Sequence, residues 1–89
     1  MAEEKRLAQI GIIVEDKSTV NALNSMLSEF GEYIVGRMGL PLAARGINVI
    51  SVVVDAPADK INALTGKLGN LSGISAKTLF AKTNKGSVL

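Results

Sequence analysis

The chain has 89 residues, ten Lys or Arg against eight Asp or Glu for a net charge of +2, and neither cysteine nor histidine. That length holds one domain with a modest core, for which self-association is a natural source of further burial. The composition removes disulfides, thiolate nucleophiles, imidazole bases and the usual soft metal ligands, so no catalytic cysteine or histidine, no cofactor and no metal site is expected.

In chain order, residues 1–5 are expected to form an N-terminal arm, and "RLAQIGIIVE", Arg6 to Glu15, reads as a strand rich in β-branched residues. The acidic turn "EDKST" follows, with Asp16 or Ser18 placed to cap a helix. Val20, Leu23, Leu27 and Phe30 recur at helical spacing while Asn21, Asn24, Ser25 and Ser28 fall off that stripe, which predicts one buried face; Gly31 is the expected left-handed stop. A second strand is predicted from Glu32 to Leu40 and a third, "INVISVVVD", from Ile47 to Asp55. Ile61, Leu64 and Leu68 define a second helix, with Pro57 at or before its first turn, Asp59 at the positive end of its dipole and Gly69 as its stop. A fourth strand spans Gly73 to Ala81, and "KTNKGSVL", 82–89, reads as a flexible tail.

Two stretches repeat. "IGIIVE" at 10–15 matches "ISVVVD" at 50–55, and "VNAL" at 20–23 matches "INAL" at 61–64. Two strand-helix-strand halves with right-handed crossovers predict an α+β, ferredoxin-like βαββαβ domain over residues 6–81, a four-stranded antiparallel sheet with both helices on one face.

Period-two alternation assigns the faces. Ile10, Ile12, Val14, Ile50, Val52 and Val54, joined by Ile34, Met38, Ile74 and Phe80, are expected under the helices. The other face collects Leu7, Gln9, Gly11, Ile13, Tyr33, Val35, Arg37, Val49, Ser51, Val53 and Lys77. Two helices cannot cover both sides of a sheet, and an apolar second face implies an interaction surface. Self-association as a dimer or tetramer through that face is expected, with Leu7, Ile13, Tyr33, Val35, Arg37, Val49 and Val53 as the interface.

Arg37, between Gly36 and Gly39, has three readings: an interfacial bridge to Glu15, Glu32 or Asp55, an edge-strand arginine with a solvated head, or an anion site shared with Arg45. Paired carboxylates such as Glu15 and Asp55, equivalent by the repeat, are candidates for acid-base chemistry, with helix-capping or loop roles as the commoner reading. The acids all lie at or before Asp59, while Lys60, Lys67, Lys77, Lys82 and Lys85 follow. With three aromatic residues and no stacking motif, this reads as a solvated basic region, and direct nucleic-acid binding is not expected. No apolar run has the length to span a bilayer and "MAEEKRLAQ" lacks the pattern of a signal peptide, so a cytoplasmic location without membrane contact is expected.

"GEYIVGRMG", Pro41, "INVISVVVDAP", "ALTGKLG" and "GISAKT" together resemble the small family of iron-only hydrogenase system regulators, over about Arg6 to Lys82. More distantly the arrangement is similar to ACT-type regulatory domains and to the ligand-binding half of the nickel-responsive repressor. The resemblance implies a non-enzymatic regulatory or accessory module, acting on transcription or maturation, that binds a small-molecule effector or a protein partner. It does not carry nickel chemistry, because the histidine and cysteine ligands are missing. In ACT-like domains the effector sits beside the first strand-to-helix loop, which here implies Glu15, Asp16, Lys17 and Ser18; turn formation and helix capping are the competing roles. The alternative from another class is a structural or assembly subunit that binds proteins only. Acylphosphatases share the topology, but "EDKST" is acidic and lacks the arginine that such enzymes present to phosphate.

Overall fold

Alternation along the first and third predicted strands decides which side of the sheet is dry. In the computed structural model, which describes residues 4–82, these become β1 (Lys5–Val14) and β3 (Ile47–Pro57). Their even-numbered residues Ile10, Ile12, Val14, Val52 and Val54 are almost wholly buried. The other elements are α1 (Val20–Glu29), β2 (Ile34–Leu42), α2 (Ala58–Gly69) and β4 (Ile74–Phe80), with short 3-10 turns at Lys17–Thr19, Gly31–Tyr33 and Ala43–Arg45. The strands form one antiparallel sheet in the order β2-β3-β1-β4. This is the ferredoxin-like βαββαβ arrangement. The predicted arm and tail lie, apart from residues 4, 5 and 82, outside the described residues; Lys5 opens β1 and pairs with Pro57.

Leu23 and Leu27 from α1 and Ile61, Leu64 and Leu68 from α2 complete the core. Each helix contributes a narrow apolar stripe that meets the even-numbered face of the sheet, and the rest of the helical surface is polar. Phe30, Tyr33, Ile34 and Phe80 pack against the margin of this cluster.

The helix stops differ from expectation. Gly31 and Gly69 are not left-handed; among the described residues positive φ occurs at Gly46 (65°) and Gly73 (68°). After α1 the chain runs straight into the 3-10 turn Gly31–Tyr33, with Phe30 N–H donating to Leu27 O at 3.2 Å and Tyr33 N–H to Phe30 O at 2.9 Å. These bonds satisfy carbonyls that a left-handed cap would otherwise serve. At the end of α2, Asn70 N–H reaches Gly66 O at 3.2 Å, and the reversal is delayed to Gly73. Asp59 does lie in the first turn of α2 and Lys67 in its last, each at the favourable dipole end.

The larger correction concerns β2. Ile34 pairs with Val54, but Gly36 pairs with Val53, so two residues advance on β2 for one on β3 and Val35 is the extra residue of a β-bulge. A one-residue insertion exchanges the faces of everything beyond it. Arg37, opposite Val52, therefore lies on the helix side, where its Nη2 donates to Asn24 Oδ1 of α1 at 3.1 Å. Met38, expected in the core, is opposite Ser51 on the open side and is 71% exposed. Tyr33 is also not on the open face: it closes the 3-10 turn beside Phe30, with ring centroids 6.4 Å apart.

This placement has a mutational consequence. Leu64→Ala, in the buried cluster, is expected to lower unfolding free energy by about 2–5 kcal/mol. Met38→Ala, measured by urea titration on dilute protein, is expected to change it by less than about 0.5 kcal/mol; a loss comparable with Leu64→Ala would restore Met38 to the core.

Candidate functional site

The open side of the sheet is built by register. Three rows of four residues cross it: Leu40, Val49, Ile13, Ser75; then Met38, Ser51, Gly11, Lys77; then Gly36, Val53, Gln9, Leu79. Leu42 with Ile47 extends it at one end and Leu7 with Asp55 at the other. Eight large apolar side chains are exposed among the described residues, and seven of them, all but the bulge residue Val35, stand on this face. Leu79 is 70% and Leu40 60% exposed. The polar residues are sparse: Gln9 Nε2 donates to Ser51 Oγ at 2.7 Å, Lys77 stands at the β4 edge, and Asp55 lies at one end.

Leu7, Ile13, Val49 and Val53 thus sit where the sequence places them. Met38, Leu40, Leu42 and Leu79 were missed. A signal for three of them was present, because in "MGLPL" apolar residues alternate with Gly and Pro from position 38 to 42. Carrying the phase of Ile34 straight through Val35 and Gly36 hid it.

The turn Glu15 to Ser18 forms a second feature. Asp16 accepts from Ser18 Oγ at 2.7 Å, from Ser18 N–H at 2.9 Å and from Ser72 Oγ at 3.2 Å. Glu15 N–H donates to Gly73 O at 2.7 Å. A Cβ on Gly73 would fall 2.5 Å from the Asp16 Cβ, so the loop after α2 touches the turn after β1 at a point where only glycine fits. Hydrogen bonds from the Ser18 hydroxyl, the Ser18 N–H and Ser72 hold the Asp16 carboxyl below its ordinary value of 3.8. Asp16 caps the 3-10 turn Lys17–Thr19, not α1 directly; Thr19 is the N-cap of α1 and makes no side-chain cap bond. Of the four residues considered for an effector, Asp16 and Ser18 are thus joined to each other, while Glu15 and Lys17 are exposed beside them.

Other proposed pairings are not brought together. Arg37 lies in mid β2 and Arg45 in the turn beyond its end, so their backbones are at least roughly 17 Å apart along the strand. Asp55 is opposite Leu7 whereas Glu15 follows the far end of β1, so the two carboxylates are separated by about 26 Å of strand. The antiparallel pairing of β1 with β3 is the cause, since residues equivalent by repeat fall at opposite ends. Among the described residues no group of three or more His, Cys, Asp or Glu converges. Nor is any helix among them long and apolar enough to cross a membrane.

A single helical layer under an antiparallel sheet whose other side is apolar and exposed defines a ferredoxin-like domain. The model of the family described as "TM1266-like: Iron-only hydrogenase system regulator, putative" matches residues 6–78, and the chain belongs to that family. Among solved structures, uncharacterized protein TM1266 from Thermotoga maritima is similar at 35% identity with a TM-score of 0.85, over 89% of this chain and 100% of that one. No curated protein matches the chain.

Two measurements check the junction at Asp16. Gly73→Ala and Gly46→Ala both place a Cβ at positive φ, a strain of about 1–2 kcal/mol. Only Gly73 has a neighbour within 4 Å, so Gly73→Ala is expected to be the more destabilising in urea titrations. Because the folded Asp16 carboxyl is held below 3.8, its contribution is present above that pH and lost as pH falls through the folded value. The stability difference between wild type and Asp16→Asn is therefore expected at neutral pH and to close as acid protonates the folded carboxyl; a difference that does not shrink while the carboxyl is seen to protonate by NMR would contradict its role.

Proposed function

We propose that the chain is a non-enzymatic regulatory subunit of an iron-only hydrogenase system, working as a homo-oligomer in which the open sheet face is buried between copies. The family supports the regulatory role. The observation that carries the mode of action is the concentration of exposed large apolar side chains on one face of a domain whose other face is already filled by helices. Surface of that kind is a recognition surface. Regulation then proceeds by contact between chains, with the turn at Glu15–Ser18 beside the assembly as the place where an effector would alter it. The distance between Glu15 and Asp55 along antiparallel strands supports a binding role over acid-base catalysis.

A native mass spectrum of the purified protein tests this reading. The expected species is a dimer or larger oligomer, and a discrete additional mass would identify a retained effector. Introducing charge into the face with Leu40→Glu and Leu79→Glu together is expected to raise the dissociation constant at least about tenfold, a penalty of about 1.4 kcal/mol or more. A monomeric wild type at 100 µM (roughly a hundredfold above a 1 µM dissociation constant) would sink the proposal.

A further inference from the structure

We infer that the hollow at Gly11, in the middle of the open face and bounded by Ile13, Val49, Ser75 and Lys77, is a socket that receives a branched side chain from a second copy of this chain, so that two copies interlock face to face about a two-fold axis. The inference rests on the self-association proposed above and specifies how it is achieved.

Gly11 occupies the centre of β1, paired with Ser51 on one side and Lys77 on the other. Among the described residues nothing requires a glycine there. A Cβ at that position would meet only the Lys77 carbonyl oxygen, at an ordinary 4.0 Å, and φ is not positive. A glycine inside a central strand weakens it, and such positions mark close approach by another group. Ser51, the cross-strand neighbour whose hydroxyl is held by Gln9, lines a second hollow with Gly36, Met38 and Val53.

The same face supplies the matching projection. Ile13 and Val49 stand side by side at the rim, 43% and 36% exposed, about 6.6 Å along the strands from Gly11 and Ser51. A face that carries both a socket and a branched ridge of similar size meets the condition for an isologous contact, in which each copy gives and receives the same group. Packed sheets stand about 10 Å apart and interdigitate, which leaves room for one layer of such side chains.

Three further observations favour a second copy. The four strands span about 20 Å by 30 Å, a footprint on the order of 600 Å² before side-chain relief is counted, comparable with the roughly 800 Å² each partner contributes to a stable interface. Edge-to-edge pairing along β2 is hindered by the bulge at Val35 and by Pro41, which offers no N–H. The face carries charges of both signs, Lys5 and Lys77 against Asp55, so each copy offers an acid to a lysine of the other.

The test uses the full chain carrying Gly11→Val, with association followed by sedimentation over a dilution series and fold stability by urea titration of the dissociated protein. The expected result is association weakened at least tenfold with an unchanged or higher urea midpoint, because the added side chain fills the socket and its Cβ makes only an ordinary contact within its own chain. Gly66→Ala on α2, where a Cβ meets nothing within 4 Å, is the control and is expected to leave association unchanged. If Gly11→Val fails to fold, Gly11→Ala decides the matter through a smaller loss of association at wild-type stability. An oligomeric wild type with Gly11 variants that associate equally well overturns the socket and leaves self-association standing. A monomeric wild type, or one isolated with a different polypeptide on this face, overturns both.

Discussion

Two helices can cover only one side of a four-stranded sheet, and most features of this molecule follow from that constraint. Leu23 and Leu27 on α1 and Ile61, Leu64 and Leu68 on α2 seal the even-numbered face of β1 and β3. In a chain of this size such a core buries a limited share of the total surface. The remaining face would be expected to be polar if it met water. Instead it carries Leu7, Ile13, Met38, Leu40, Leu42, Val49 and Leu79, all exposed in the isolated chain. At about 25 cal/mol per Å² of apolar surface, burying even half of such a face contributes several kcal/mol to association.

The bulge at Val35 decides how complete that face is. With unbroken alternation β2 would send Met38 and Leu40 beneath the helices and Arg37 outward. With one added residue the edge strand presents Met38, Leu40 and Leu42 to the open side and directs Arg37 to Asn24. Arg37 in an otherwise apolar segment is thereby accounted for: it lies on the side where α1 offers a polar partner. The glycine at 36 completes the bulge opposite Val53. The cost of a bulge at an edge is small because only one neighbouring strand is disturbed, and it also discourages pairing beyond β2.

Fold and core were legible because they depend on periodicity. The repeat of "IGIIVE" and "ISVVVD" marked the two central strands, and the stripes Val20–Leu23–Leu27 and Ile61–Leu64–Leu68 marked the helices. The faces of β2 were not, because alternation carries no sign of where its phase slips; Gly36, a residue type that marks bulges in strands, and the short run from Met38 to Leu42, read independently of Ile34, held that information. Glycine stops were misplaced for a related reason: Gly31 and Gly69 follow helices, but the 3-10 turn after α1 and the bonds at Asn70 satisfy the carbonyls, and the left-handed position falls at Gly73. That position is fixed by the approach of Asp16 from a segment 57 residues earlier, a tertiary contact that local sequence does not reveal. Family membership supplies the regulatory context, whereas the open face is read from the chain itself.

The most direct measurement of the central claim is an isotope-filtered NMR experiment on a mixture of methyl-labelled and unlabelled chains, which reports only contacts between copies. The account predicts intermolecular contacts at the methyl groups of Ile13, Leu40, Val49 and Leu79, and none at the core methyls of Leu27 and Leu64. Intermolecular contacts confined to the helical side, or their absence at concentrations where the protein is oligomeric, would contradict it.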